Sequence, residues 1–257
     1  MVAKAAIPIV VAFLAVSSFA AEEPIRYGGS STIGRFITDA AAIYGRAVFR
    51  VHTLIESAGG ERCAADGSCD IGGVAREVDD KWLAQGLIKT LIGRDAVAVI
   101  VNNDNPVDAL SRGDLKAIFT GQLTNWSELG GSDVPITPYI VAEASATHTV
   151  FSDAILDGSD YAGTTPIAPD SKIVGRVTSD RGAIGQISFS FLRHNSTVKP
   201  LSVDGELASV GNATYPISRP LYLLTRADPP AHIQRFVDWA LTDEGQAIVR
   251  YRFVGVR

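Results

Sequence analysis

The chain has 257 residues, of which 46% are hydrophobic and 20% are charged, and its formal net charge is −5. A chain of this length and composition can bury a large core, as one large domain or as two lobes, which argues against intrinsic disorder. Because the net charge is negative and no long basic run occurs, the composition also argues against nucleic acid as a partner.

Residues 1–20 have the pattern of a secretory signal peptide. Lys4 gives a short basic start, residues 5–16 are apolar, and Ser18 and Ala20 place small residues where a signal peptidase requires them. The apolar run is shorter than the roughly 20 residues that a membrane-spanning helix needs. We therefore predict that the mature protein is secreted and soluble after cleavage.

From Ile25 onward, apolar strand-like segments alternate with amphipathic helical segments, a pattern that favours an α/β fold. Residues 103–106 form a turn-rich break, a candidate crossover between two lobes. In chain order, the predicted elements are a helix over 36–48, strands over 48–55 and 70–75, a helix over 78–85, a strand over 95–102, a helix over 112–119, a strand over 136–141, a helix over 147–156, a helix or turn and a strand within 174–188, a strand over 215–225 and a helix pair over 231–250.

The chain has two cysteines, Cys63 and Cys69, and the segment between them has a strong turn signal. In the oxidising compartment that a signal peptide implies, we expect them to form a disulfide. The alternative is a metal-binding or redox pair, but neither a Cys-x-x-Cys motif nor a histidine cluster supports it. No metal and no cofactor are expected.

Three short segments rich in Ser, Thr and Gly are each predicted to open a helix. They are residues 28–32, 57–60 and 145–147. At a helix start the backbone N–H groups lack intrahelical acceptors and point outward with the positive end of the helix dipole. One such start is only a cap, whereas three that converge would form a binding site for an oxyanion.

Several motifs in order resemble the periplasmic phosphate-binding proteins that serve ABC importers, in their shorter bacterial form. The resemblance covers nearly the whole mature chain, and the motif at 117–126 is its most distinctive part. The motifs are residues 29–33, 57–76, 99–107, 117–121 with 124–126, 182–185 and 219–222.

This resemblance implies a type II periplasmic-binding fold, in which two α/β lobes of mixed sheets flanked by helices are joined by hinge crossover strands. The first lobe is expected to comprise residues 24–102 plus 205–257, and the second residues 103–204. The implied function is to capture phosphate or a related oxyanion between the lobes in the periplasm and to deliver it to a membrane ABC permease. The protein is expected to be a monomer.

Two other functions compete with this one. The alternative within the same fold is a diverged binding or signalling module with a different small ligand or a partner protein. A serine hydrolase is not expected, because the chain lacks a Gly-x-Ser-x-Gly elbow and His148 would share one helix turn with Ser145.

The resemblance also implies which residues bind the anion, and most of them lie in the three predicted helix starts. The implied ligand-binding residues are Ser31, Thr32, Ile33, Ser57, Arg76, Ser145, Ala146 and Thr147.

The chain departs from the family pattern at the charges of the site. Val141 stands where the family places an arginine that pairs with the anion. Possible compensating charges are Arg35, Arg76 and His148. A carboxylate in the cleft would select phosphate, which carries a proton, over sulfate; the candidates are Asp70, Glu143 and Glu56, the last at a position where glycine is usual.

Overall fold

The computed structural model describes residues 23–192, 197–212 and 214–256. The predicted signal peptide at 1–20 lies outside these ranges and stays a prediction. Within them, no helix has the length and the apolar character that crossing a membrane requires.

The described residues alternate between strands and helices, as the sequence predicts. The strands are β1 (Ile25–Gly29), β2 (Phe49–His52), β3 (Ile71–Val74), β4 (Leu87–Asn102), β5 (Ala109–Leu110), β6 (Thr137–Val141), β7 (Thr165–Ile167), β8 (Ala183–Ser188), β9 (Val198–Pro200), β10 (Ser202–Val203), β11 (Glu206–Leu207), β12 (Ser218–Arg226) and β13 (Val254–Gly255). The helices are α1 (Ser31–Tyr44), α2 (Glu56–Asp66), α3 (Asp80–Leu83), α4 (Arg112–Phe119), α5 (Ala146–Phe151), α6 (Lys172–Ser179), α7 (Ala231–Ala240) and α8 (Asp243–Arg250).

Strand β4 joins the two parts of the main sheet, whose strand order is β2-β1-β3-β12-β4-β8-β6-β7. Its first part, from Leu87 to Ala96, pairs with β12, and its last part pairs with β8 and β9. The crossover is therefore this strand rather than the turn at 103–106. The predicted strand over 95–102 is only its buried second half, because polar residues such as Lys89 and Arg94 interrupt the apolar run before it.

Buried cores on either side of this crossover define two lobes. The first core is built around Phe36, Phe236 and Trp239. The second contains the apolar end of β4 together with residues of α4, α5 and β8. Both cores form because helices cover the faces of a mixed sheet with their apolar sides.

The expected return to the first lobe at residue 205 comes too early. Ala208, Tyr215 and Ile217 pack in the second core, and the Tyr215 hydroxyl donates to the Val97 carbonyl at 3.1 Å. The chain returns to the first lobe with β12, at about Ser218. Sequence reasoning missed this because β10 and β11 have only two residues each, too few to give a periodic signal.

Two predicted helices differ at their ends. Helix α1 starts at Ser31 instead of residue 36 and ends at Tyr44, because Gly45 takes the left-handed conformation that terminates helices (φ 63°). The helix predicted over 147–156 is α-helical only to Phe151 and continues as a π-helical turn over Ser152–Leu156.

The predicted disulfide between Cys63 and Cys69 is confirmed, with the two Cα atoms 5.1 Å apart. It joins the last turn of α2 to the residue pair before β3, and both cysteines are buried. The bridge therefore fixes the connection between α2 and β3.

We expect the free energy of unfolding of the Cys63→Ala/Cys69→Ala variant to be about 2 kcal/mol lower than that of the wild type. This is the value that the chain-entropy model gives for so short a loop. Urea unfolding measures this difference. A reductant should shift the wild-type midpoint toward that of the variant and leave the variant unchanged. A variant as stable as the oxidised wild type would contradict the expectation.

Candidate anion-binding site

Each of the three predicted segments contributes to the start of a helix, and most of their polar side chains are buried. Thr32 lies in the first turn of α1, Ser57 in the first turn of α2, and Ser145 caps α5 by accepting a hydrogen bond from the Thr147 N–H at 3.2 Å. Thr32, Ser57 and Thr147 are each at most 1% exposed. Only residues 28–29 differ from the prediction, since they end β1.

The first turns of these helices contain backbone N–H groups that precede the first intrahelical hydrogen bond. The first helical hydrogen bond of α1 runs from the Gly34 N–H to the Ser30 carbonyl, and that of α5 from the His148 N–H to the Ser145 carbonyl. The amides of Ile33 and Ala146 therefore have no intrahelical acceptor. Both belong to the ligand set that the sequence implies, and Ala146 also packs in the first core.

One arginine joins the helix starts of the two lobes. The Arg219 Nη1 donates to Thr147 Oγ1 at 2.8 Å, and its Nη2 donates to Thr32 Oγ1 at 3.0 Å. Arg219 is only 1% exposed. A buried positive charge therefore lies between α1 and α5, where Val141, buried in β6, cannot supply one.

Strand pairing explains why Arg219 has this position. Arg219 in β12 stands directly opposite Asp95 in β4, and side chains of directly opposite residues share one face of the sheet. The Arg219 Nε and Nη2 both donate to Asp95 Oδ2, at 3.0 and 2.9 Å. Burial raises the pKa of Asp95, and the Arg219 charge opposes that rise.

Asp170 brings a second buried carboxylate to the same site. It accepts a hydrogen bond from the Ser145 hydroxyl at 2.6 Å and is 3% exposed. Burial raises the pKa of Asp170, while the Ser145 hydrogen bond and the Arg219 charge lower it. We call Thr32, Thr147, Asp95, Asp170 and Arg219 the cleft network.

Glu56 is the one candidate carboxylate that lies inside the site. Its Oε2 accepts from the Ser31 N–H at 3.1 Å, and the residue is 7% exposed. Burial, followed by the negative charge of Asp170, raises its pKa to about 7. Of the other two candidates, Asp70 pairs with Arg26 at 2.6 Å and Glu143 is exposed.

The three expected compensating charges each have another partner. The Arg35 guanidinium stacks 3.8 Å from the ring centre of Phe191, and Arg76 forms an ion pair with Glu61 at 2.7 Å.

The third, His148, packs its ring 4.6 Å from that of Tyr161, and burial lowers its pKa. Arg219, in contrast, contacts hydroxyls of both lobes.

Two cavities open between the lobes next to these groups. One, of about 980 Å³, is lined by Arg76, Lys89 and Arg219 from the first lobe and by Thr149 and Asp153 from the second. The other, of about 430 Å³, includes Ser31 and Arg35 on one side and Pro169 and Phe191 on the other. The cleft network therefore lies where the lobes meet.

Sequence reasoning missed Arg219, Asp95 and Asp170. The sequence contains one signal for Arg219, which is a charged residue within an apolar strand. Such a residue is usually buried only together with a partner. The partner itself cannot be read from the sequence, since Asp95 is 124 residues away.

Comparisons with known proteins agree with this architecture. The family model described as PBP superfamily domain matches residues 16–244. Phosphate-binding protein PstS of Bacillus subtilis is 32% identical over 189 residues, a match that spans 71% of this chain and 62% of that protein. The chain therefore spans less than two thirds of the length of this curated relative.

Solved structures give the same result for the fold. A substrate-binding protein of the phosphate ABC transporter type from Clostridium perfringens, solved with bound phosphate, has a TM-score of 0.85 at 28% identity, covering 91% of this chain and all (100%) of that chain. An ABC-type phosphate transport receptor from Vibrio cholerae has a TM-score of 0.72 at 23% identity, covering 90% and 99%. These matches confirm the predicted type II periplasmic-binding fold and the resemblance to phosphate-binding proteins.

Proposed function

This chain belongs to the family of PBP superfamily domains, and on that premise we propose that it captures phosphate, or a related tetrahedral oxyanion, between its two lobes. The names of its relatives support phosphate, as does the phosphate bound in the Clostridium perfringens structure. The protein acts as a binding protein and not as an enzyme.

The observation that carries this proposal is the bridge that Arg219 makes between Thr32 and Thr147. It brings a cation and two helix N-termini to one buried point, the combination that favours an anion. A guanidinium has five N–H donors, and four hydrogen bonds are used within the cleft network. Counted over the described residues, one donor therefore remains for a ligand.

The hydroxyl groups are also prepared to donate. The Thr32 oxygen accepts from Arg219 at 3.0 Å, and the Ser57 oxygen accepts from the Ala75 N–H at 3.1 Å. Because each oxygen already accepts a hydrogen bond, its own proton is available for an anion. Together with the amides of Ile33 and Ala146, these groups would surround an oxyanion with donors from both lobes.

Calorimetric titration of the mature protein with phosphate tests this function. We expect saturable heat that fits one site per chain and a rise in unfolding temperature, because a ligand that binds only the folded state stabilises it. The absence of both heat and thermal shift at millimolar phosphate would contradict the proposal and favour the alternative, a diverged binding or signalling module.

The remaining expectations about partners belong to the same proposal. Residues 1–20 direct export to the periplasm, and the loaded protein acts as a monomer that delivers its anion to a membrane ABC permease. The type of transporter named for the Clostridium perfringens structure supports this partner. Size-exclusion chromatography with light scattering should give the mass of one chain, and a stable dimer would contradict the monomer.

A further inference from the structure

Glu56 occupies a backbone conformation that is costly for its residue type. Its φ is +49°, in the left-handed region, where a residue with a Cβ pays about 1–2 kcal/mol. Glycine would take this conformation without that cost. Strain of this kind persists where the surrounding structure enforces it, and it concentrates at binding sites.

The Glu56 carboxylate is buried with one oxygen unsatisfied. Oε2 accepts the Ser31 N–H, whereas Oε1 is buried without a hydrogen-bond partner among the described residues. An unpaired buried carboxylate oxygen is unfavourable. Both facts are accounted for if Oε1 faces the ligand.

The buried carboxylates around the site would repel a bound oxyanion if they were ionised. Asp95 already balances Arg219 through two hydrogen bonds, which leaves Glu56 and Asp170 as buried carboxylates from opposite lobes. If both were ionised, an oxyanion between them would meet two negative charges at low dielectric constant. Taking up one proton removes one of these charges.

We propose that Glu56 is a further anion-binding residue that holds one proton in the complex and donates it from Oε1 to an oxygen of the anion. The inference rests on the proposed function. The proton comes from solvent or buffer, and the neutral acid group then keeps the Ser31 N–H on Oε2. Anion capture by this protein is therefore coupled to proton uptake.

Burial sets the sign of this coupling by raising the pKa of Glu56, and the groups that face Glu56 from the surrounding elements modify that rise. Asp170 in the second lobe favours the neutral acid, while Ser31 in α1, through its N–H and its hydroxyl, and Arg219 in β12 favour the carboxylate. The Tyr27 hydroxyl of β1, whose pKa is raised by burial and by Glu56, stays neutral. With burial added, the pKa of Glu56 is raised to about 7, so the protein can gain this proton at neutral pH.

Calorimetry in two buffers of different ionisation enthalpy counts the protons taken up. At about pH 8, free Glu56 is mostly ionised, so we expect the wild type to take up nearly one proton per phosphate bound. Glu56→Gln replaces the acid by a neutral group of the same shape that also donates a hydrogen bond. We expect this variant to bind phosphate with almost no proton uptake.

Equal proton uptake by the wild type and Glu56→Gln would overturn the inference, because the proton would then reside on the anion or elsewhere. Loss of binding in a folded Glu56→Gln variant would also overturn it, since a neutral donor at this position would be insufficient. The matched control is Glu143→Gln, the same change at an exposed carboxylate of the β6–α5 connection, which should keep the wild-type proton count. A wild type that binds no phosphate contradicts the proposed function instead.

Discussion

Replacing Arg219 by methionine is expected to abolish phosphate binding and to destabilise the protein by about 3–5 kcal/mol. The loss of stability follows because Asp95 would remain buried without its partner. The loss of binding follows because the cation between Thr32 and Thr147 disappears. Urea unfolding and calorimetric titration measure the two effects separately.

Two further variants separate the charge of Arg219 from its structural role. In Asp95→Asn/Arg219→Met neither residue carries a charge, so stability should return toward the wild-type value while binding stays lost. Arg226→Met, the same change at the exposed end of β12, should bind phosphate normally. Phosphate binding by Arg219→Met with wild-type affinity would show that the anion does not use this arginine.

Removing two buried hydroxyls in Ser57→Ala/Thr147→Ala is expected to weaken phosphate binding by about 100- to 10,000-fold. Each hydrogen bond to a charged group contributes about 1.5–3 kcal/mol, and every 1.4 kcal/mol changes the affinity about tenfold. The two residues come from opposite lobes and are fully buried.

Thr147→Ser is the matched control for this double variant, because it keeps the hydroxyl that accepts from Arg219 Nη1. We expect it to bind within a few-fold of wild type. Unfolding curves identify any loss of folding, since the Ser57 hydroxyl also accepts the Ala75 N–H. A folded double variant within tenfold of wild type would place the binding site elsewhere.

Local signals in the sequence account for much of the site. Ser145 caps a helix at the predicted place, Thr32 and Ser57 lie in first helical turns, and the Cys63–Cys69 bridge closes a short loop. Each of these features depends on residues a few positions apart, whose propensities and hydrogen bonds act over one turn. The sequence by itself therefore determined the helix starts that contribute the candidate donors.

Only the tertiary structure decided which charged residues lie at the candidate site. Arg219 reaches Thr32 across 187 residues and Asp95 across 124, through the register of β12 on β4. Glu56 was one of three candidate carboxylates until burial distinguished it from the exposed Glu143. Strand register and burial arise from packing between segments distant in the chain, so no local pattern encodes them. The sequence predicts an anion site without the family's arginine, and the fold places Arg219, from another strand, at that candidate site.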